Sequence, residues 1–353
     1  MMRLPLPWLL CLTGGALALL LVGSLATGPM ALSFGESLRA LFAGQGSGIE
    51  AHKLLIVQEI RLPRTLLCIA VGGILGLCGA VMQGLFRNPL ADPGIIGVSG
   101  GAALGAALAI VLLAPLGQQW QSLLGIGQQW QSLLGIGLLP LLAFLGGALT
   151  TTLVYLLGTR EGGTSVTVML LAGVAVTALS GAVIGLLTYL ADDQMLRNLS
   201  LWQMGSLAAG KPVDVALALL TLVALLILFL RDANPLNALL LGEGEARHLG
   251  IQVQSLKRRL ILLTAAGVGV AVAVAGMIGF VGLVVPHLVR LLAGPNHVRL
   301  LPLSALLGAA LLLGADMLAR TLLAPAEMPV GIITALLGAP FFIWLLVKGR
   351  RTL

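Results

Sequence analysis

RDANPLNALLLGEGEARHLGIQVQSLKRR, residues 231–259, is a charged island between two apolar runs at 213–230 and 259–279. It holds Arg231, Arg247, Lys257, Arg258 and Arg259, five of the chain's 20 Lys and Arg, together with Asp232, Glu243 and Glu245. Asn234 followed by Pro235 predicts a helix cap and first turn, and Gly242 and Gly250 stand where short helices stop. The island therefore predicts two short, built helices carried outside an apolar body, a surface that calls for a partner.

Outward from the island the chain is almost wholly apolar. Of 353 residues, 58% are hydrophobic and 9% charged, with a mean hydropathy of +1.06, which excludes an ordinary soluble domain. Runs of roughly 18 apolar residues or more cross a bilayer as helices. Nine such runs occur, at about 7–28, 65–86, 94–115, 137–158, 166–190, 213–230, 259–279, 300–319 and 330–347, and a shorter tenth lies at 281–294, interrupted by Pro286. The first is longer than the ~7–15-residue core of a secretory signal, so it predicts a spanning helix. Together these runs predict an all-α, polytopic membrane protein with about ten transmembrane helices. Residues 1–353 form a single domain, and 231–259 is a loop within it.

The net charge of +7 is distributed for a membrane, not for nucleic acid. With ten spans and an inside N-terminus, Arg3, Arg87, Arg160, the island's five, Arg290, Arg299, Lys348, Arg350 and Arg351 fall inside. Arg39, Lys53, Arg61, Arg64, Arg197, Lys211 and Arg320 fall outside. That bias places the island and both termini in the cytoplasm. Cys11, Cys68 and Cys78 all lie in apolar runs without paired spacing, as packing residues do, and no metal site is expected.

Two stripes of small residues, Gly72/Gly76/Ala80/Gly84 and Gly97/Gly101/Gly105, have the spacing that lets helix backbones approach closely in lipid. A perfect repeat, GQQWQSLLGI at 117–126 and again at 127–136, lengthens an outer loop at little cost, as local duplication does more often than function requires. The run ending in FRNPLADPG parallels the run around Pro286, a pairing of interruptions that suggests inverted repeats with a pathway between them. No G-x-x-x-x-G-K-[ST] occurs, so a chain with a docking surface and no nucleotide loop would borrow its motor from another subunit.

RLPRTLLCIAVGGILGLCGAVMQGLFRNPLADPGIIGVSGGA (Arg61–Ala102) resembles the signature of the permease subunits of type II ABC importers, which take up vitamin B12, ferric siderophores and haem. RNLSLWQMGSL (Arg197–Leu207), GFVGLVVPHLVRLLAGPNH (Gly279–His297) and APAEMPVGIITALLGAPFFIWLL (Ala324–Leu346) extend the resemblance, in order, over nearly the whole chain. The tandem repeat is the one departure. The wording of GLVVPHLVRLLAGPNH and ARTLLAPAEMPVG is most similar to the haem branch, then to the siderophore branch, then to cobalamin.

The resemblance implies a permease fold that works as a homodimer in the bacterial inner membrane, with two ATP-binding-cassette ATPase subunits inside and one periplasmic substrate-binding protein outside. ATP and magnesium belong to the ATPases, and no cofactor is expected in this chain. The island becomes the coupling loop, with Gly242, Glu243, Gly244, Glu245, Ala246, Arg247, His248, Leu249 and Gly250 as its contact segment. Arg61, Arg64 and Arg320 become docking residues for the binding protein, Asp316 standing four residues before Arg320 to hold it. Asn88 and Leu90 in one inner turn, and Thr164 and Ser165 in another, become the cytoplasmic gate; as plain sequence they are also ordinary helix punctuation.

Two other functions compete. Gly97–Gly100 (GVSG) resembles the nucleophile turn of rhomboid proteases, with His287 or His297 as base, but the match is four residues inside the longer permease signature. An ion-coupled secondary transporter needs acidic or histidine residues within its spans, and only Asp316 and His287 are candidates.

Overall fold

The glycine stripes position the rest of the bundle, because they decide which helices touch backbone to backbone. The computed structural model describes residues 5–28, 30, 32–42, 50–113, 137–160, 163–208 and 210–349. The tandem repeat at 117–136 and the terminal Arg3, Arg350 and Arg351 lie outside the described residues. In chain order the helices are α1 (Leu6–Ala26), α2 (Phe34–Phe42), α3 (Ala51–Leu85), α4 (Val98–Leu113) and α5 (Leu138–Gly158). A two-stranded hairpin, β1 (Thr159–Arg160) and β2 (Gly163–Thr164), pairs Thr159 with Thr164 antiparallel. Then follow α6 (Val166–Leu190), α7 (Asp193–Gln203), α8 (Pro212–Arg231), α9 (Ala233–Leu241), α10 (Glu243–His248), α11 (Val253–Ala275), α12 (Val281–Ala293), α13 (His297–Thr321) and α14 (Val330–Gly349).

Seven of these, α1, α3, α5, α6, α8, α11 and α13, are long and apolar enough to cross a membrane, and shorter apolar helices fill Val98–Leu113, Val281–Ala293 and Val330–Leu345. They coincide with the ten runs read from hydropathy. Helices α2 and α7 were not expected; both lie in connections at the end of the bundle opposite the island.

Helix α3 is the hub. A Cβ on Gly72 would stand 2.8 Å from the Leu312 side chain and collide with the Gly308 carbonyl, and one on Gly76 would collide with Ser304 backbone, so α3 lies directly against α13. Gly79 makes the same close approach to Gly282 on α12, and Gly101 and Gly105 make it to α5 at Gly146 and Leu142. Two stripe members do other work. Gly97 adopts φ +84°, ending the 3₁₀ turn Pro93–Ile96 and starting α4, a conformation that favours glycine. Gly84 faces the His297 imidazole instead of a backbone. The proline-bearing interruptions of the two halves meet, since a Cβ on Gly282 would lie 2.9 Å from the Pro93 ring.

Two boundaries and one cysteine differ from the sequence expectation. Helix α3 starts at Ala51, fourteen residues before the apolar run, because a π-helical turn over Ile56–Arg61 carries the helix into Pro63; the Leu62 N–H bonds Val57 O, five residues back. Helix α9 begins at Ala233, not after the Asn234–Pro235 pair, so that pair lies in the first turn and Asp232 takes the boundary position. Cys11 is exposed on α1, whereas Cys68 and Cys78 are buried as packing residues. Gly242 (φ +126°) and Gly250 (φ +81°) do end the two island helices.

Candidate functional site

The island is fastened to the bundle at three points. Arg259 Nε donates to Asp232 Oδ2 at 2.7 Å, with a second bond from Nη2 to Oδ1, joining the entry of α9 to α11. Asn237, in the middle of α9, accepts from the His297 backbone N–H at 2.8 Å and from His297 Nδ1 at 2.9 Å, and donates to Asn296 at 3.0 Å. His297 is fully buried in the space left by Gly84, so α9 is keyed through it onto α3. The third point is Lys257 on α11, whose Nζ lies 2.5 Å from Glu243 Oε1 at the start of α10. An island fixed in this way is a built part of the bundle, not a slack loop.

What the island leaves open is its end. Within Gly242–Gly250 only Ala246 is buried; Gly244, Glu245, Arg247, His248, Leu249 and Gly250 are exposed, and Gly242 and Glu243 are half-buried. Leu249 is 64% and Leu241 69% exposed, apolar side chains beside charges on a surface with room for a partner.

The two inner turns differ in character. Asn88 is exposed and its Oδ1 accepts the Leu90 N–H at 2.9 Å, a self-closed Asx turn, while Leu90 is half-buried. Asp92 accepts from the Gly94 N–H at 2.7 Å, and burial pushes its carboxyl above the ordinary carboxylate range. In the other turn Thr164 is buried and Ser165 exposed. Ser165 Oγ accepts from Val168 N–H and caps α6. The Thr164 N–H donates to Gln254 Oε1 at 3.0 Å, and its carbonyl accepts from Lys257 Nζ at 2.9 Å. Among the described residues no hydrogen bond joins the two turns to each other.

At the opposite end Arg64 and Arg320 come together around Asp316, with Arg61 nearby at the end of α1, and all three face inward. Their exposures are 4%, 6% and 2%, and Asp316 is fully buried. Arg64 Nε donates to Asp316 Oδ1 at 3.0 Å and Nη1 to Glu327 Oε2 at 2.6 Å. Arg320 Nε stands 3.0 Å from Asp316 Oδ2, the i,i+4 pairing expected. Arg61 donates to the carbonyls of Leu25 (2.7 Å), Ala26 (3.0 Å) and Met30, and Arg320 to those of Ser24 and Thr27 (both 3.3 Å). Two guanidiniums therefore close the C-terminal end of α1, where carbonyls lack helical partners. The three arginines expected to dock the binding protein are thus buried among partners within the chain, and Glu327, which pairs with Arg64, reaches the surface with 37% of its side chain exposed.

Lys257, Gln254, Asn237 and Glu327 were not singled out from sequence, and His297 was weighed only as a protease base. Lys257 read as one more inside cation, and nothing in the sequence set it apart from the exposed Arg258 and Arg259 beside it.

A family model for the FecCD transport family matches residues 16–348. The chain belongs to the FecCD transport family. Over 99% of its length it is 46% identical to the hemin transport system permease protein HmuU of Yersinia pestis, covering 97% of that protein. It is 42% identical to the vitamin B12 import system permease protein BtuC of Shigella boydii, over 98% of this chain and 96% of that one. Among solved structures, a metal-chelate type ABC transporter in an inward-facing conformation superposes with a TM-score of 0.81 at 33% identity, covering 97% of this chain and 99% of the other. PsaBC from Streptococcus pneumoniae, at 19% identity and a TM-score of 0.55, shares the fold alone. As a FecCD member this chain is a type II ABC importer permease, and the resemblance read in its motifs holds over the full bundle.

Proposed function

We propose that this chain is the membrane-spanning half of a haem importer, passing haem or a similar iron chelate from periplasm to cytoplasm. It would pair with a second copy in the bacterial inner membrane lipid, two ABC ATPase subunits and a periplasmic binding protein. The carrying observation is the island: two short helices fastened to α11, α13 and, through His297, α3, with the open surface Gly242–Gly250 at their end. ATP and magnesium act on the partner ATPases, and closure of those subunits moves the island as a lever while the bundle rocks around the pathway. Asn88, Leu90, Thr164 and Ser165 serve as its inner gate. With both termini on the island's side, the Arg61–Arg64–Arg320 cluster faces the periplasm; buried as it is, it shapes the binding protein's seat around Glu327.

Haem is favoured as cargo because the relative named for hemin transport is 46% identical over almost the full chain. Cobalamin is the second reading, on the 42% identity to vitamin B12 permeases. The test is reconstitution of the chain with its cognate ATPase and binding protein, followed by uptake of haem, cobalamin or a ferric siderophore into proteoliposomes. ATP-dependent haem accumulation is expected. Uptake of another cargo in its place overturns the haem assignment, and no ATP-dependent uptake of any cargo overturns the importer itself.

A further inference from the structure

The hairpin that carries Thr164 is tethered to the island through one buried side chain. Lys257 is the enclosed member of the island's five cations, with 3% of its side chain exposed, whereas Arg247 and Arg259 have 60% and 51% exposed. Its ammonium has three donors and no acceptor. One goes to Glu243 Oε1 at 2.5 Å, in the first turn of α10, and another to the Thr164 carbonyl at 2.9 Å. Glu243 and Thr164 are 79 residues apart in sequence, and this ammonium bridges them in a single step. Open space separates much of the hairpin from the island: a cavity of about 680 Å³ is lined by Tyr155, Thr159, Gly163 and Thr164 on one side and by Arg247 and Gln254, among others, on the other. Side-chain anchoring of Thr164 to α11 therefore rests on Gln254 and Lys257.

We infer that Lys257 is the positioning residue that transmits movement of the ATPase contact segment to the inner gate, through the relay Glu243–Lys257–Thr164. The inference rests on the proposed roles of Gly242–Gly250 and of the Thr164 turn. A buried ammonium deprived of its carboxylate is strongly disfavoured, and a charge-assisted bond to carboxylate is stronger than one to a neutral carbonyl. When a docked ATPase displaces Glu243, Lys257 thus goes with it. The Thr164 carbonyl follows its donor, and the hairpin leaves its present place with it. Lys257 touches neither cargo nor ATPase; it acts through the hairpin.

The experiment measures cargo uptake and ATP hydrolysis in the same proteoliposomes, using the complete complex with wild-type chain, Lys257→Met or Lys257→Arg. Methionine keeps the volume of the enclosed stem and removes the charge. Hydrolysis in the Lys257→Met complex is expected to stay within about twofold of wild type while uptake per ATP falls about tenfold. The arginine variant, which keeps charge and donors, is expected to regain most of that ratio. A purely structural lysine would lower assembly, hydrolysis and uptake in step. A wild-type ratio in Lys257→Met, or an arginine variant as uncoupled as the methionine variant, overturns the relay. Should Lys257→Met fail to assemble, Lys257→Gln, which removes the charge but keeps a donor, reads the same ratio; an unchanged ratio there overturns the relay too. A wild-type complex without ATP-driven uptake would instead strike at the proposed function, leaving the two failures distinguishable.

Discussion

Asp316 shows how much a single carboxylate organises here. It is fully buried between Arg64 and Arg320, and those arginines in turn hold the end of α1 and the exposed Glu327. A buried ion pair is weak evidence of net stability, because desolvating the charges cancels much of their attraction. Removing one partner is different: it strands the others without a counter-charge. Asp316→Ala is therefore expected to destabilise the bundle by about 3–5 kcal/mol, read as a lower unfolding midpoint in detergent. Arg320→Met, which leaves Asp316 paired with Arg64, should cost clearly less, and equal losses would show that Asp316 does not bridge the two. The 316–320 spacing on one helix made that pair visible in the sequence. Arg64–Asp316 was not visible, since 252 residues separate them and only the α3–α13 contact brings them together. Arg61 bonds backbone carbonyls, and Arg320 adds two of them to its pairing with Asp316; such partners leave no mark in a sequence.

Among the elements, the helices were legible and their neighbours were not. Ten apolar runs and two glycine stripes could be read directly, because lipid demands the first and close backbone contact the second. Which helix each stripe meets depends on tertiary packing. Gly76 lies against Ser304 backbone on α13, whereas Gly15 on α1 has nothing within 4 Å of a Cβ. Gly76→Leu is expected to prise α3 from α13 at a cost of about 3 kcal/mol or more, with loss of a monodisperse complex in size-exclusion chromatography. Gly15→Leu is expected to behave as wild type. Comparable loss in both would mean that the stripe does not set the packing. The π turn before Pro63 and the two extra helices α2 and α7 escaped the hydropathy pattern. They are short, amphipathic or irregular, and were outside the windows that mark membrane spans.

At the scale of the whole molecule, the polar connections are as ordered as the spans. The island is keyed to α11 by Asp232–Arg259 and Glu243–Lys257, and to α13 by Asn237 with Asn296 and His297. Its presence, its two helices and its glycine stops were readable from charge and turn residues. Its fastening was not, because every fastener lies in a different element from its partner. This arrangement suits a lever: a stiff piece outside the lipid, with a free end at Gly242–Gly250 and a fixed root among three membrane helices.

The most direct test of force entering at that end is replacement of Glu245–Leu249 by a Gly/Ser linker of equal length in the reconstituted complex. A folded, dimer-competent bundle that no longer takes up cargo when ATP is supplied is the predicted result. ATP-driven uptake at the wild-type rate would contradict it.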